Sequence, residues 1–443
     1  MPQITTATPG SQAPIEQAAV LDSSRYTSSE FMAREWQGVW RSSWLFAGVV
    51  SDVKEAGDYF VYEVGAESVV VVRDESGELR AFYNVCQHRG NRLLSNREGF
   101  VQHFTCPYHG WQYQLDGCLA EVPDAERFGA QLDRVTRGLK PVQVAQWAGL
   151  IWINLDSEAD ALATYLGDIP TELAGFHFER MILTAHQTVS LACNWKTLRD
   201  NFLEQYHVDF IHPQHASFVD CNNSTNVLYA RGHSSTQVKG YLTNDRYPLP
   251  ESTPAHLVPL LQALAMDPAH FDGRVADIRE AVQQRKRELA PQLGFDANDL
   301  SDEQLSDVWQ YDIFPNMFMT VQAEELWVYG PRPHPQDPDC CYFDLWTLQL
   351  PVEMGADSAK GLSLNPRLQT SRYAPRPEHD SFTHEAVIAG EKTLNITIDQ
   401  DIFYLDGMQA GMHSAGFDHA VLNRDEVRVQ HFHDWLDAAL TKL

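Results

Sequence analysis

Two short segments of the sequence each carry one cysteine and one histidine. Cys86-Gln-His88 is followed, after seventeen residues, by Cys106-Pro-Tyr-His109. Two thiolates and two imidazoles suit either a zinc ion or an iron–sulfur cluster. Zinc fingers usually place both cysteines in one segment and both histidines in another, whereas here each segment supplies one of each. The pattern therefore favours a [2Fe–2S] cluster held between two loops, with a zinc site as the alternative.

Composition narrows the class of protein. The chain has 443 residues and a net charge of −27, which argues against a nucleic-acid partner. No apolar run is long enough to span a membrane, and the first twenty residues do not resemble a signal peptide. Seven scattered cysteines do not form the disulfide framework of a secreted domain. We therefore expect a cytoplasmic protein with no membrane partner.

Hydrophobic patterning divides the chain into three parts. Residues 1–44 contain a polar leader and an amphipathic helix, which we expect to pack on the C-terminal domain. Residues 45–158 consist of short alternating strands separated by turn signals, and they predict a compact antiparallel β domain around both Cys–His segments. Residues 159–443 mix strands and helices, and the polar segment 245–305 resembles an insertion. The predicted fold class is α+β.

A second group of ligand-type residues lies in the C-terminal part. Asn201, Glu204, His207 and His212 occur in a segment of helical composition, and Pro213 follows. On a helix Glu204 lies one turn before His207, while His212 lies about 140° around the helix from His207. Both histidines can bind one metal only if the helix bulges or unwinds between them, and Pro213 favours such an ending. Two unrelated core histidines are the alternative.

The chain resembles the catalytic (alpha) subunits of the aromatic-ring-hydroxylating Rieske non-haem iron oxygenases. The resemblance lies in the cluster-binding signature of that family, which matches Cys86-Gln-His-Arg-Gly90 and Cys106-Pro-Tyr-His-Gly-Trp111. The resemblance implies an antiparallel β Rieske domain that binds a [2Fe–2S] cluster through both cysteines and both histidines. It also implies a helix-grip (START-like) catalytic domain, built on an antiparallel sheet, that binds a mononuclear Fe(II).

The resemblance identifies a third iron ligand. In the family, a late helix carries a ligand Asp, an acid five residues on, a Gln eight residues on, and then a Gly. Asp401, Asp406, Gln409 and Gly411 match this register. With the two histidines, Asp401 would complete the two-His, one-carboxylate set of ferrous oxygenases.

Two details of this late segment qualify the match. Asp399 is an alternative ligand, because it lies only two residues from Asp401. The residue before the ligand is often acidic in the family, whereas here it is Gln400.

The resemblance also implies roles for two polar residues. Relatives form rings of three catalytic chains, in which a carboxylate connects a cluster histidine of one chain to an iron histidine of its neighbour. Glu204 matches that carboxylate and His109 matches the cluster histidine. Many ring dioxygenases use Asp here, and Glu is similar to members that oxidise quaternary amines. Asn201 is expected near the iron, with a helix-surface role as the alternative.

The activity implied is that of the oxygenase component of a multicomponent system. It would use O2 and electrons from NAD(P)H, delivered by a separate ferredoxin or reductase, and would assemble as a homotrimer (α3) or α3β3. Hydroxylation of an aromatic compound is the leading expectation, with oxidation or demethylation of a quaternary amine as the alternative. A stand-alone Rieske electron carrier and a zinc-stabilised scaffold are the non-enzymatic alternatives.

The charge is unevenly distributed along the sequence. Counting His as neutral, the cluster segments from residue 86 to 113 contain three arginines and one glutamate, a balance of 3 − 1 = +2 within an acidic chain. Complementary charge steers the association of electron-transfer partners. We therefore predict that Arg92 and Arg97 help to dock an acidic electron donor, while Arg89 packs near the cluster.

Overall fold

The computed structural model describes residues 5–7, 19–216, 218–293, 296–351 and 376–442, so residues 1–4 and 8–18 of the predicted leader lie outside the described part. The strands are β1 (Thr5–Ala7), β2 (Ala19–Asp22), β3 (Leu45–Val49), β4 (Asp58–Val64), β5 (Glu67–Arg73), β6 (Leu79–Tyr83), β7 (Glu98–Phe100), β8 (Phe104–Thr105), β9 (Gln112–Tyr113), β10 (Leu119–Glu121), β11 (Gln143–Trp147), β12 (Leu150–Asn154), β13 (Ile182–Leu191), β14 (Val219–Leu228), β15 (Ser234–Gly240), β16 (Val308–Ile313), β17 (Met317–Val321), β18 (Glu325–Pro333), β19 (Cys341–Gln349), β20 (His379–Thr383) and β21 (His419–Leu422). The helices are α1 (Ser24–Thr27), α2 (Ser29–Glu35), α3 (Leu162–Leu166), α4 (Ile169–Glu172), α5 (Trp195–Phe202), α6 (Val208–Ile211), α7 (Leu257–Ala263), α8 (Ile278–Leu293), α9 (Asp302–Ser306), α10 (His384–Ile388), α11 (Ile396–Ile402), α12 (Leu405–Met412) and α13 (Val427–Leu440).

One compact unit consists of Ala33–Leu166. It contains three small sheets with the strand orders β6-β5-β4-β7, β10-β9-β8 and β11-β12-β3. The β-branched run Val69-Val-Val-Val72 in β5 is buried on both faces, as expected for a central strand. The hairpin β8–β9 packs on a hydrophobic core that includes Phe104, Tyr113 and Leu115. This packing holds in place the loop that joins the two strands.

The second unit consists of Gly167–Lys442 with the N-terminal segment up to Met32, so the boundary between the units falls within α2. Its centre is a nine-stranded sheet of order β1-β14-β15-β16-β17-β18-β19-β13-β20, antiparallel except for the parallel pair β13–β20. The C-terminal helix α13 packs Phe432 edge-on against Trp195 of α5, with ring centroids 5.8 Å apart. Helices and antiparallel sheets occur in both units, which confirms the predicted α+β class.

The segment predicted as an insertion, 245–305, lies in the connection between β15 and β16. Its longest helix, α8, is tied to the surrounding structure by two ion pairs. Lys286 lies 3.0 Å from Glu324 in the protein interior, and Arg279 makes two 2.9 Å contacts with Asp307. Within the described ranges no helix is long and apolar enough to cross a membrane.

Candidate metal centres

The four predicted cluster ligands lie on two loops with the same backbone hydrogen bonds. In each loop the cysteine amide donates to the carbonyl of the residue five positions on, at 2.8 Å. The amides of Gly90 and Gly110 donate to the carbonyls of Cys86 and Cys106, both at 3.0 Å. These glycines have φ angles of 76° and 73°, a left-handed conformation that disfavours other residues. The glycines in both motifs are therefore part of the loop geometry.

The candidate ligands on the two loops differ in burial. Cys86 and Cys106 are buried, while His88 and His109 are half-buried. The two Nδ1 atoms lie 3.1 Å apart, and the His88 ring stacks on Trp111 with centroids 4.8 Å apart. Two sulfur donors inside and two imidazoles nearer the surface fit a Rieske [2Fe–2S] cluster.

Tyr113 supports the buried sulfur of the first loop. Its hydroxyl oxygen accepts the Gln87 amide at 2.9 Å, which leaves its proton free to point towards the Cys86 sulfur at 3.3 Å. Burial raises the pKa of Tyr113 above its ordinary value, so the hydroxyl stays neutral and can donate. Such donation favours a negatively charged sulfur ligand.

In the second unit, His207, His212 and Asp401 could hold one metal ion, because their ligand atoms all lie within 4.8 Å of one another. Nε2 of His212 is 2.9 Å and Nε2 of His207 is 3.4 Å from Oδ1 of Asp401. His212 and Asp401 are buried, whereas His207 is half-buried. The donor set fits a two-His, one-carboxylate iron site with open coordination positions.

The chain leaves the helix earlier than the sequence predicts. Glu204 was expected on the same helix as Asn201, but α5 ends at Phe202, so that expectation is wrong. Oε2 of Glu204 accepts the amide of His207 at 3.1 Å and also the amide of Tyr206. These bonds stabilise a break before His207, because the side chain replaces helical acceptors. A single turn, α6, then ends at Ile211, and the residue after it, His212, has a non-helical φ of −121°.

The Glu204 carboxylate also contacts the His207 ring, with Oε1 against Nδ1. A carboxylate on the outer nitrogen of a metal-binding histidine fixes the ring and its tautomer. Glu204 therefore orients His207 within its own chain.

Asp401, rather than Asp399, faces the two histidines. Helix α11 begins with Asn395 as its N-cap, whose side chain accepts the Ile398 amide at 3.0 Å. The side chain of Asp399 points to the N-terminal end of the same helix, where its carboxylate accepts a hydrogen bond from the Leu394 amide at 2.9 Å. Its carboxylate is thus used to hold the helix start, while Asp401 lies next to His212.

Electrostatics in this site favour a cation. Burial alone would lower the pKa of His207, but hydrogen bonds to Asp401 and Glu204 raise it to about 10. Burial opposes ionisation of Asp401, yet its bonds to His207 and His212 lower its pKa. The carboxylate is therefore ionised beside two imidazoles, and a divalent metal would replace the shared protons.

Gln409 joins α12, the helix after the one that carries Asp401, to α5, the helix that precedes His207 in the chain. Its Oε1 accepts the Asn194 amide at 2.9 Å and the Thr197 hydroxyl at 3.1 Å, both at the start of α5. Its Nε2 donates to the Tyr26 carbonyl and to Asp339. In contrast, Asp406 is exposed. Of the family register, Gln409 therefore has the clearest structural role, which sequence reasoning did not find.

A cavity of about 200 Å³ opens beside the three ligands. Asn201 lines it, and its Nδ2 is buried without a hydrogen-bond partner among the described residues. Aromatic side chains from separate elements form much of the wall: Phe202, Phe218, Trp327 and Tyr329. These rings could not be identified from the sequence, because aromatic residues at such positions are equally typical of a core.

Two family comparisons bear on these regions. Residues 178–442 match the ring hydroxylating alpha subunit (catalytic domain) family, and residues 43–145 match the Rieske [2Fe–2S] domain family. The first match covers more than half of the chain. The chain therefore belongs to the Rieske-type ring-hydroxylating oxygenase alpha subunits, as the sequence resemblance predicted.

Several curated relatives are similar over part of the chain. The glycine betaine monooxygenase oxygenase subunit of Chromohalobacter salexigens is 32% identical over 43% of this chain and 42% of its own length. Choline monooxygenase, chloroplastic, of Beta vulgaris is 34% identical over 52% and 53%. The carnitine monooxygenase oxygenase subunit of Escherichia coli K12 is 34% identical over 46% and 55%. The chain thus spans about half the length of these relatives.

Solved structures share the fold over nearly the whole chain. The quaternary ammonium Rieske monooxygenase CntA in complex with L-carnitine has a TM-score of 0.65 at 19% identity, covering 96% of both chains. Naphthalene 1,2-dioxygenase with indole bound has a TM-score of 0.67 at 20% identity, covering 95% of this chain and 92% of the other. At these identities the likeness concerns the fold.

Proposed function

We propose that this chain is the oxygenase component of a Rieske oxygenase system in the cytoplasm. The observation that carries the proposal is the presence of two ligand sets of different chemistry in one chain. Cys86, His88, Cys106 and His109 would hold the [2Fe–2S] cluster, and a separate set would hold the mononuclear Fe(II).

His207, His212 and Asp401 are the proposed ligands of the Fe(II). A ferrous ion with three protein ligands supplies open positions at which O2 is activated with electrons from NAD(P)H, delivered through a ferredoxin or reductase. Burial of Asp401 and His212 keeps bulk water from the ligand atoms. The contact between Glu204 and His207 holds one ring in place.

Glu204 is the proposed connection between the two kinds of centre. In a homotrimer (α3) or α3β3, its carboxylate would approach the cluster histidine His109 of a neighbouring chain while it contacts His207 of its own. We expect Glu204→Ala to keep the cluster and, when Fe(II) is supplied in excess, the mononuclear iron, but to abolish coupled substrate oxidation. Metal analysis with oxygen and product measurements would check this, and full activity with intact metals would contradict it.

The proposed substrate is a quaternary amine, which the sequence analysis held as the alternative. The curated relatives named above act on glycine betaine, choline and carnitine by their descriptions. Phe202, Phe218, Trp327 and Tyr329 line the cavity, and aromatic lining residues are typical of sites that bind a quaternary ammonium group. Monooxygenation is the corresponding reaction. Hydroxylation of an aromatic compound, the leading expectation from sequence, has the weaker support.

Asn201 is the proposed contact for an oxygen atom of the substrate. Its buried Nδ2 lies in the cavity wall without a partner among the described residues, and an unpaired buried donor costs on the order of 1–3 kcal/mol. A hydroxyl or carboxylate oxygen would satisfy it. Asn201→Leu is expected to raise KM more than it lowers kcat.

Oxygen and NADH consumption with a compatible reductase tests the substrate class. We expect turnover with choline, glycine betaine or carnitine, with product formed in proportion to the oxygen used. Coupled turnover with aromatic acids and none with the three amines would overturn the proposed substrate. Naphthalene would serve as an uncharged aromatic control.

A further inference from the structure

The two iron-site histidines contact chemically different groups through their outer nitrogens. Nδ1 of His207 contacts the carboxylate of Glu204. Nδ1 of His212 instead lies 2.8 Å from Oε1 of Gln400, an uncharged amide. An uncharged side chain therefore contacts one of the proposed iron ligands.

A second amide holds Gln400 in place. Nε2 of Gln214 donates to Oε1 of Gln400 at 2.7 Å, and Nε2 of Gln400 lies 3.4 Å from Oε1 of Gln214. The two side chains therefore form a reciprocal pair across α11 and the segment after His212. Because Oε1 of Gln400 faces His212, Gln400 can only accept a hydrogen bond from it. This places the histidine proton on Nδ1 and leaves the lone pair on Nε2.

We propose that Gln400 is a positioning residue that holds His212 in its metal-binding tautomer, with Gln214 fixing the orientation of its amide. The inference rests on the iron site proposed above. Gln400 directly precedes Asp401 on α11, so one short helix supplies a ligand and the acceptor that orients a second ligand. The acceptor behind His212 is a neutral amide, whereas the acceptor behind His207 is a carboxylate.

Metal affinity tests the inference without turnover. The full chain, with its cluster retained and its mononuclear iron removed, is dialysed to equilibrium against a series of Co(II) concentrations. We expect Gln400→Leu to bind Co(II) about tenfold more weakly, as is usual when the partner of a metal-binding histidine is lost. Gln400→Glu retains an acceptor and is expected to bind at least as tightly as the wild type.

Matched variants separate positioning from packing. Asp399 lies on the same helix but contacts the Leu394 amide. The Co(II) affinity of Asp399→Asn is therefore expected to stay within twofold of the wild type. Cluster absorption and the thermal midpoint report folding. If Gln400→Leu does not fold, Gln214→Leu carries the test, with a smaller expected loss of affinity.

Three results would overturn the inference. Unchanged affinity in Gln400→Leu would show that His212 does not need this acceptor. Equal losses in Gln400→Leu and Gln400→Glu would assign the effect to packing. A wild-type chain that retains its cluster but takes up no Co(II) would overturn the proposed iron site as well, which distinguishes that failure from the first two.

Discussion

The two candidate metal regions are built in opposite ways. The cluster ligands come from two short loops whose hydrogen bonds repeat each other, and both loops lie close together in the sequence. The iron ligands come from a helix break around His207 and from Asp401, far along the chain. The first region depends on local turn geometry, whereas the second depends on contacts between distant helices. Changes to one region should therefore leave the other intact.

The variant with the largest expected effect loses the mononuclear iron and keeps the cluster. We expect Asp401→Ala to lose the mononuclear iron and all substrate oxidation, because two histidines alone hold ferrous iron poorly. The cluster absorption should persist, because its four ligands lie in Ala33–Leu166. Iron analysis and a visible spectrum measure both outcomes. Asp399→Asn, which keeps an oxygen acceptor for the Leu394 amide, is the control for the same helix. A cluster lost only in Asp401→Ala would contradict the independence of the regions.

The second-largest expected effect comes from removing the hydrogen bonds of Gln409, which join helices that are far apart in the sequence. Gln409 is buried and makes hydrogen bonds to α5 and to the Tyr26 carbonyl. We expect Gln409→Ala to lower the free energy of unfolding of the second unit by about 2–3 kcal/mol, because it leaves buried partners unsatisfied. It should also lower the iron occupancy. Urea unfolding measures the first effect.

The control for this change comes from the same helix. Asp406 is exposed, and Asp406→Ala is expected to change stability by less than about 0.5 kcal/mol. Similar losses in Asp406→Ala and Gln409→Ala would contradict the role assigned to Gln409.

A smaller effect concerns the cluster alone. Tyr113→Phe removes the hydroxyl that faces the Cys86 sulfur at 3.3 Å. Hydrogen bonds to cluster sulfurs raise the reduction potential, so we expect a decrease on the order of tens of millivolts, corresponding to one hydrogen bond. A spectroscopic redox titration measures it. The hydroxyl of Tyr108 contacts Arg89 instead, so Tyr108→Phe should keep the wild-type reduction potential. Equal shifts of the potential in the two variants would indicate a general perturbation of the cluster region.

The smallest expected effect is at the surface. Arg92, predicted to dock the electron donor, pairs with Glu63 at 3.0 Å, which reduces its free charge. We expect Arg92→Ala to slow electron transfer from the donor by less than about threefold at low salt. Stopped-flow reduction across a salt series measures this. A rate independent of both ionic strength and the variant would contradict docking at this edge.

The same contrast explains what the sequence could predict. The four candidate cluster ligands could be assigned to two loops because their spacing is local, and the α+β class followed from hydrophobic periodicity. The hydrogen bonds and glycine conformations of these loops came only from the structure. His207, His212 and Asp401 were predicted as a set only through the family resemblance, and the structure brings them together.

The remaining features depend on tertiary contacts. Periodicity placed Glu204 on a helix, whereas its side chain caps a break by accepting the amides of Tyr206 and His207. The role of Gln409 depends on partners at the start of α5 that are more than two hundred residues away in the sequence. Such pairings leave no local pattern in a single sequence.

The most direct test of the central claim is a combined iron and acid-labile sulfide analysis of the purified chain with its visible spectrum. The account predicts a red-brown protein with the two irons and two sulfides of the cluster, and one further iron that Asp401→Ala removes. A coloured protein with cluster iron alone would instead indicate an electron carrier. A colourless protein containing zinc would contradict both proposed centres.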